Sequence, residues 1–368
     1  MKSLLLAFSL FVSTFVFAVP VPQSGSMAKH TCIVETGALL CWGLNDEGQL
    51  GTGSTLSEKV PVLVIEKGVL KVSLGEKHTC ATLTGGMLKC WGKNDDGQLG
   101  DNSTTSQLLP KTIVAAGVTD ISAGATHSCA VFAKGEVKCW GNNDDGQLGN
   151  SSTVDSLIPV RAFVAGGTQV SAGGNHTCAV ILKKLRCWGN NDEGQFGNST
   201  TNSSTSPVLV NVLDQPVQKV TAGRTHTCVI AGDLLENQRW LHCAGKNNKG
   251  QIGFGDPSDT PNVLNFEAVL YFDIFDVVIG EEHTCALFNN SMKCWGSNQY
   301  GKFGNGTTVD ILAPTTVTQR GVSGISSGAE HVCFTRFGLM SCAGLGTDGQ
   351  LGDSTESSSD VFVSPILQ

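Results

Sequence analysis

Short apolar runs rich in Val, Ile, Leu and Thr alternate along the chain with stretches of Gly, Asn, Asp and Ser. In HTCAVFAKGEVKCWG, residues 127–141, two such runs flank a few turn residues, which reads as a β-hairpin. No stretch holds a 3.6-residue apolar period, so the chain is expected to be built from strands.

The hairpins recur. A His-x-Cys marker stands at His30, His78, His127, His176, His226, His283 and His331, at spacings of 48, 49, 49, 50, 57 and 48 residues. A period in this range marks a solenoid or a propeller. The second run of the hairpin ends in Cys-Trp-Gly in five units (Trp42, Trp91, Trp140, Trp188 and Trp295), and a Gly-x-x-Gly loop follows in all seven, beginning with Gly48 and Gly51 and ending with Gly349 and Gly352. Next comes an apolar segment with one proline, at Pro61, Pro110, Pro159, Pro207, Pro261, Pro314 and Pro365. Proline cannot donate to a ladder, which places that segment on a sheet edge.

A further apolar run precedes the next histidine. Four strands in each of seven units predict an all-β, seven-bladed β-propeller. The expected repeats are 19–66, 67–116, 117–165, 166–215, 216–270, 271–320 and 321–368. The first unit departs from the pattern: residues 19–26 are proline-rich and do not match the strand that precedes the other histidines. An N-terminal segment is therefore expected to close the ring against the last unit.

Lys2 precedes an apolar run from Leu4 to Ala18, followed by Val19 and Pro20. That is the layout of a secretory signal peptide spanning 1–18, and the run is short for a membrane span. All fourteen cysteines fall in the repeats, as Cys32 with Cys41, Cys80 with Cys90, Cys129 with Cys139, Cys178 with Cys187, Cys228 with Cys243, Cys285 with Cys294, and Cys333 with Cys342. A two-residue turn at Thr36 and Gly37 sets Cys32 opposite Cys41, with Cβ atoms about 5 Å apart, close to disulfide range. Units with one extra residue need a three-residue turn. Each bridge closes a short loop, which is worth roughly 2.5 kcal/mol in the chain-entropy model. Zinc-finger spacings are absent, and even, adjacent cysteines in an exported chain form disulfides rather than metal sites. The histidine is expected to hydrogen-bond backbone of a neighbouring strand or loop, since seven copies of one residue describe a scaffold.

The ordered residues A-G-x-x-H-T-C-A and K-C-W-G-x-N-x-x-G-Q-L-G resemble the repeat of the RCC1 (regulator of chromosome condensation) family, over essentially all of 29–368. The resemblance implies a seven-bladed propeller whose Trp-Gly and Gly-Gln-Leu-Gly residues hold the blade. For function it implies guanine-nucleotide exchange on a small GTPase, an expectation that paired cysteines and a signal peptide oppose.

A formal charge of -8, with no basic cluster, gives no handle for nucleic acid. Phosphate-loop, nucleophile-elbow, zinc-protease and dinucleotide motifs are absent, so no enzyme, cofactor or metal is expected. The acidic loops NDEGQLG and NDDGQLG lack the spacing of a calcium loop and read as solvated turns. The fifth unit breaks the repeat: AGDLLENQRWLH lengthens its hairpin and introduces Arg239, Trp240 and His242 as partner-binding candidates. Trp240 could equally replace the tryptophan lost where Cys-Trp-Gly becomes Cys243-Ala244-Gly245. The seventh unit has the same loss at Ala343 without an evident substitute. Glycosylation sequons stand at Asn102, Asn150, Asn175, Asn198, Asn202, Asn289 and Asn305, usable in a eukaryotic secretory pathway.

The reading that follows is a secreted or cell-surface ring, monomeric and non-enzymatic, that binds and by binding can inhibit another protein. The alternatives are the GTPase regulator and a carbohydrate-binding or hydrolytic propeller with a glycan partner. Protein from its native host is expected to have lost the segment through about Ala18 and to resist alkylation at all fourteen thiols until reduced. Retention of Met1 together with reactive thiols, read by intact mass, would overturn export.

Overall fold

The computed structural model describes residues 21–23, 25–233, 238–272 and 274–367; the expected signal peptide lies outside them. Seven four-stranded antiparallel sheets each follow chain order, so every blade is one contiguous stretch of sequence. Blade 2 is typical: its strands are Val69–Leu74 innermost, then His78–Leu83, Met87–Gly92 and, outermost, Gln107–Val114. No helix among the described residues is long and apolar enough to cross a membrane.

Residues Val21–Gln23 form a short innermost strand of blade 1, paired antiparallel with His30–Glu35. The first unit thus owns the strand that its proline-rich sequence concealed, and Pro22 is tolerated because so few rungs are made. Blade 7 is complete from Val322–Ser327 to Ser359–Val363, so the ring closes by packing and not by strand exchange. Proline lies within the outermost strand of five blades, whereas Pro261 and Pro365 stand just outside theirs.

All fourteen cysteines are disulfide-bonded in the expected pairs, each pair directly opposed in register. Thr36 and Gly37 make the two-residue turn, both at positive φ, and Thr84–Gly86 makes the three-residue one.

The blades are joined by a repeated hydrogen-bond relay. The backbone oxygen of Gln49 in blade 1 accepts from Trp91 Nε1 at 3.0 Å and from Thr79 Oγ1 at 2.7 Å, both in blade 2. His30 Nε2 lies 2.8 Å from the same Thr79 oxygen. A hydroxyl has one hydrogen, and Thr79 gives it to Gln49, so His30 must donate from Nε2, and burial keeps its ring neutral. His78, His127, His176, His226 and His331 meet Ser128, Thr177, Thr227, Thr284 and Thr31 in the same way. In blade 7 Val332 replaces the hydroxyl residue, and His283 turns to Ser327 at 2.7 Å. The expectation of a backbone partner is therefore corrected: the partner is a side-chain hydroxyl of the next blade, which the strand pattern alone does not bring into view. The glycine three residues before six of the seven histidines is also explained, since a Cβ at Gly75 would strike the His78 ring.

The missing tryptophans are replaced from another strand. A Cβ at Gly51, Gly100, Gly149, Gly253 or Gly352 would strike a tryptophan ring of the next blade; at Gly197 and Gly304 it would strike Phe266 and Phe362. Phe196, Ala244 and Phe266 share one core cluster, and Phe362 packs edge-on against Phe334 at 4.7 Å. The outermost strands of blades 5 and 7 thus fill the volume that Ala244 and Ala343 leave, and Trp240 is not the substitute.

Burial holds His30, His78, His127 and His226 down to about 3, and His176 and His331 to about 4. An unfolded histidine titrates near 6.5, so between these limits the unfolded chain binds more protons. The stabilisation is complete above about pH 6.5 and is lost as pH falls toward 4, by up to about 1.4 kcal/mol per unit for each histidine. The urea midpoint is expected to be flat from pH 7 to 8 and to drop steeply between 6 and 4; a midpoint unchanged across that window would refute the relay. Phe266→Ala is expected to cost about 3–5 kcal/mol, and adding Ala244→Trp to recover much of it, both read from the same denaturation curves.

Candidate functional site

In an up-and-down blade the connections alternate ends. The turns between second and third strands, and those leading to the next blade, therefore share one face of the ring, and the Gly-x-x-Gly loops lie on the other.

The loop face is internally satisfied. In blade 1 the buried Asn45 accepts from Leu50 N at 2.9 Å and donates to Ser54 O and Leu56 O at 3.0 and 2.8 Å. Those carbonyls, which a cation would need, are already taken by an amide. Among the acidic loop residues, Asp46 meets Lys77 at 2.5 Å and Gln49 at 3.0 Å, and those bonds hold its carboxyl below the usual range against the opposing pull of burial.

The axis carries a cavity of about 310 Å³. Its polar ring comes from the position seven residues before each histidine: Gln23, Lys71, Asp120, Gln169, Lys219, Asp276 and Gly324. Lys71 pairs with Asp120 and Lys219 with Asp276, while Asp120 and Gln169 also accept the Val170 and Val220 amides of the next blades at 3.0 and 2.9 Å. Above them Arg224 of blade 5 reaches Glu281 at 2.8 Å and, across the ring, Glu76 of blade 2 at 3.5 Å. Both axial aspartates are thus committed to lysines, an arrangement suited to clamping blades and not to general acid–base work.

The turn face is different. In blade 5 the hairpin runs two rungs past Ala231 and Trp240, through Gly232 opposite Arg239 and Asp233 opposite Gln238. It is anchored where Gly232 N donates to Pro216 O at 3.0 Å and Gln218 Nε2 donates to Gly232 O at 3.0 Å. The Trp240 ring meets Tyr271 edge-on at 6.2 Å, and the Arg239 guanidinium stacks 4.6 Å over Phe275. Tyr271, Phe272 and Phe275 are each about half exposed, at 55%, 51% and 49%. Leu182, Leu213, Phe337 and Leu339 extend apolar exposure around the same face.

Among the described residues, Trp240 Nε1, Arg239 Nε and both ring nitrogens of the fully buried His242 have no hydrogen-bond partner. Burial lowers His242 to about 4, which keeps it neutral. The structure therefore brings Arg239, Trp240 and His242 together on one hairpin and adds Tyr271, Phe272 and Phe275, which sequence reading passed over as strand and linker. The one signal for them was the 57-residue spacing of this unit.

The sequons fall in different settings. Asn102, Asn202, Asn289 and Asn305 are exposed; Asn150 and Asn198 are part-buried and accept bonds that shape their loops; Asn175 is exposed and gives its Nδ2 to Asp145 at 2.7 Å.

A family model described as the RCC1-like domain matches residues 20–285, and models of the regulator of chromosome condensation (RCC1) repeat match 276–302 and 294–335. The ultraviolet-B receptor UVR8 of Arabidopsis thaliana is 30% identical over 140 residues, covering 36% of this chain and 30% of that protein. The chain spans less than a third of the length of the curated relatives it matches. Human WBSCR16 superposes with a TM-score of 0.78 at 19% identity, covering 90% of this chain and 94% of its own. Yeast RCC1 (Prp20), solved bound to Kap60, superposes at 0.77 with 19% identity, covering 92% and 84%. With seven four-stranded blades, a His, Trp and Gln relay that recurs around most of the ring, and a family model over most of its length, this chain belongs to the RCC1-like domain family.

Proposed function

We propose that this protein is an exported, disulfide-braced scaffold that binds another protein through the turn face of its ring, centred on the blade 5 hairpin, and performs no chemistry of its own. The observation that carries the reading is the gathering of exposed Tyr271, Phe272 and Phe275 with Arg239 and Trp240 where the repeat is lengthened. Aromatic and arginine side chains dominate the energetics of protein interfaces, and an apolar patch of this kind on a soluble ring marks a contact surface.

Export is supported by chemistry. Every cysteine is paired, a state that persists in oxidising compartments and not in the cytosol. The same pairing opposes the exchange-factor alternative, whose GTPase would be met among free thiols. In a eukaryotic host, Asn102, Asn202, Asn289 and Asn305 are the sequons best placed to carry glycans.

Wild-type protein immobilised in oxidised form is expected to retain a partner from secreted or surface extracts as a complex stable to size exclusion. Trp240→Ala with Arg239→Ala is expected to weaken that complex by roughly 2–4 kcal/mol while leaving the urea midpoint nearly unchanged. Retention unaffected by the double variant, or no retained partner, would remove the basis for the reading.

A further inference from the structure

On the turn face beside blade 5, a groove of about 470 Å³ lies between the blade 4 hairpin and the connection into blade 5. Its accessible lining is apolar, from Leu209, 49% exposed, and part-buried Pro216, backed by the buried Leu185, Val210, Val212 and Val217. Leu182 at its rim is 74% exposed.

The rim is built at a conformational cost. Leu182 and Lys183 turn the hairpin with φ of 51° and 62°, and Leu213 and Asp214 turn the connection with 49° and 57°. Bulky residues rarely adopt the left-handed region, which glycine enters freely, as Gly37, Gly85 and Gly338 do in other hairpins. Glycine here would ease the backbone but would remove the apolar and cationic side chains that the rim displays.

Charge completes the picture. Lys183 and Lys184 are exposed and form no ion pair among the described residues, in a chain whose formal charge is -8. The one carboxylate lining the groove, Asp214, is held by Asn211, which donates to it at 3.0 Å. The groove therefore offers an apolar lining and two free cations, and its complement is an apolar side chain carried between carboxylates.

We infer that this groove docks an extended acidic segment of the partner protein, seating a large apolar side chain against Leu182, Leu209 and Pro216 while its flanking carboxylates meet Lys183 and Lys184. The inference rests on the protein-binding reading, and it assigns that partner a chemistry: apolar residues in an acidic context. Blade 5 would supply the aromatic anchor and blade 4 the charge selection, because rim charges govern encounter and choice of partner more than total affinity.

The test uses the full oxidised protein and three fluorescent hexapeptides, read by anisotropy: an acidic peptide with central Leu-Phe, its basic counterpart with the same centre, and an acidic peptide with central Ser-Ser. The acidic Leu-Phe peptide is expected to bind saturably, to weaken in 0.5 M salt, and to lose roughly tenfold in affinity in Lys183→Glu with Lys184→Glu, a variant that in turn gains affinity for the basic peptide. Both lysines are exposed, so the variant keeps the wild-type urea midpoint. Equal affinity for all three peptides, or binding indifferent to the charge reversal, overturns the proposal. So does a preference for phosphatidylglycerol vesicles over every peptide, which would make the rim a membrane contact. Loss of peptide binding in Trp240→Ala with the lysine variant unaffected would place the segment on blade 5: the groove would then be rejected and the protein-binding reading retained.

Discussion

Two adjacent blades meet on a single backbone oxygen. The glutamine carbonyl of the Gly-x-x-Gly loop accepts an indole N–H and a hydroxyl from the next blade, and the hydroxyl in turn receives the histidine N–H. Much else is fixed by that small junction. The hydroxyl can serve only if the histidine carries a proton on Nε2; burial keeps the ring neutral, and in six blades the ring needs glycine opposite. The loop must bring its carbonyl against the indole, and its final glycine leaves room for the ring. What looks in the sequence like scattered punctuation is one hydrogen-bonded joint copied around a circle.

Departures from the joint show which parts are obligatory. Where Ala244 and Ala343 remove the indole, phenylalanines arrive from the outermost strand to hold the volume, and the hydrogen bond is given up. Where Val332 removes the hydroxyl, Ser327 on a different strand restores it. Packing is thus conserved in substance and the polar contact by whichever neighbour can reach, as expected of interiors that tolerate lost volume poorly. The disulfides act on another level: they tie second to third strand inside a blade and leave the walls between blades to the relay.

Because the walls are enclosed and the charges of the axis are paired, the surfaces that present side chains to a partner are the turns. The axial lysines and aspartates neutralise one another, and the loop asparagines fill their own carbonyls. On the turn face, by contrast, aromatic rings, leucines and unpaired lysines stand in solvent over blades 4 to 6. Recognition by a ring of this kind is a property of its irregular turns, carried by a rigid frame.

The sequence by itself determined the all-β character, the count of seven units and the cysteine pairing, because each follows from local spacing: a hairpin places Cys32 across from Cys41 wherever that hairpin lies. It also singled out the fifth unit, by length. Tertiary structure alone decided the histidines' partners, which stand 44 to 58 residues away around the ring or, for Thr31 and His331, 300 residues apart across its closure. It decided too that Phe266 and not Trp240 replaces the lost indole, and that Val21–Gln23 completes the first blade. These depend on which side chains meet across a wall between blades, and no period along one chain contains the geometry of its neighbour.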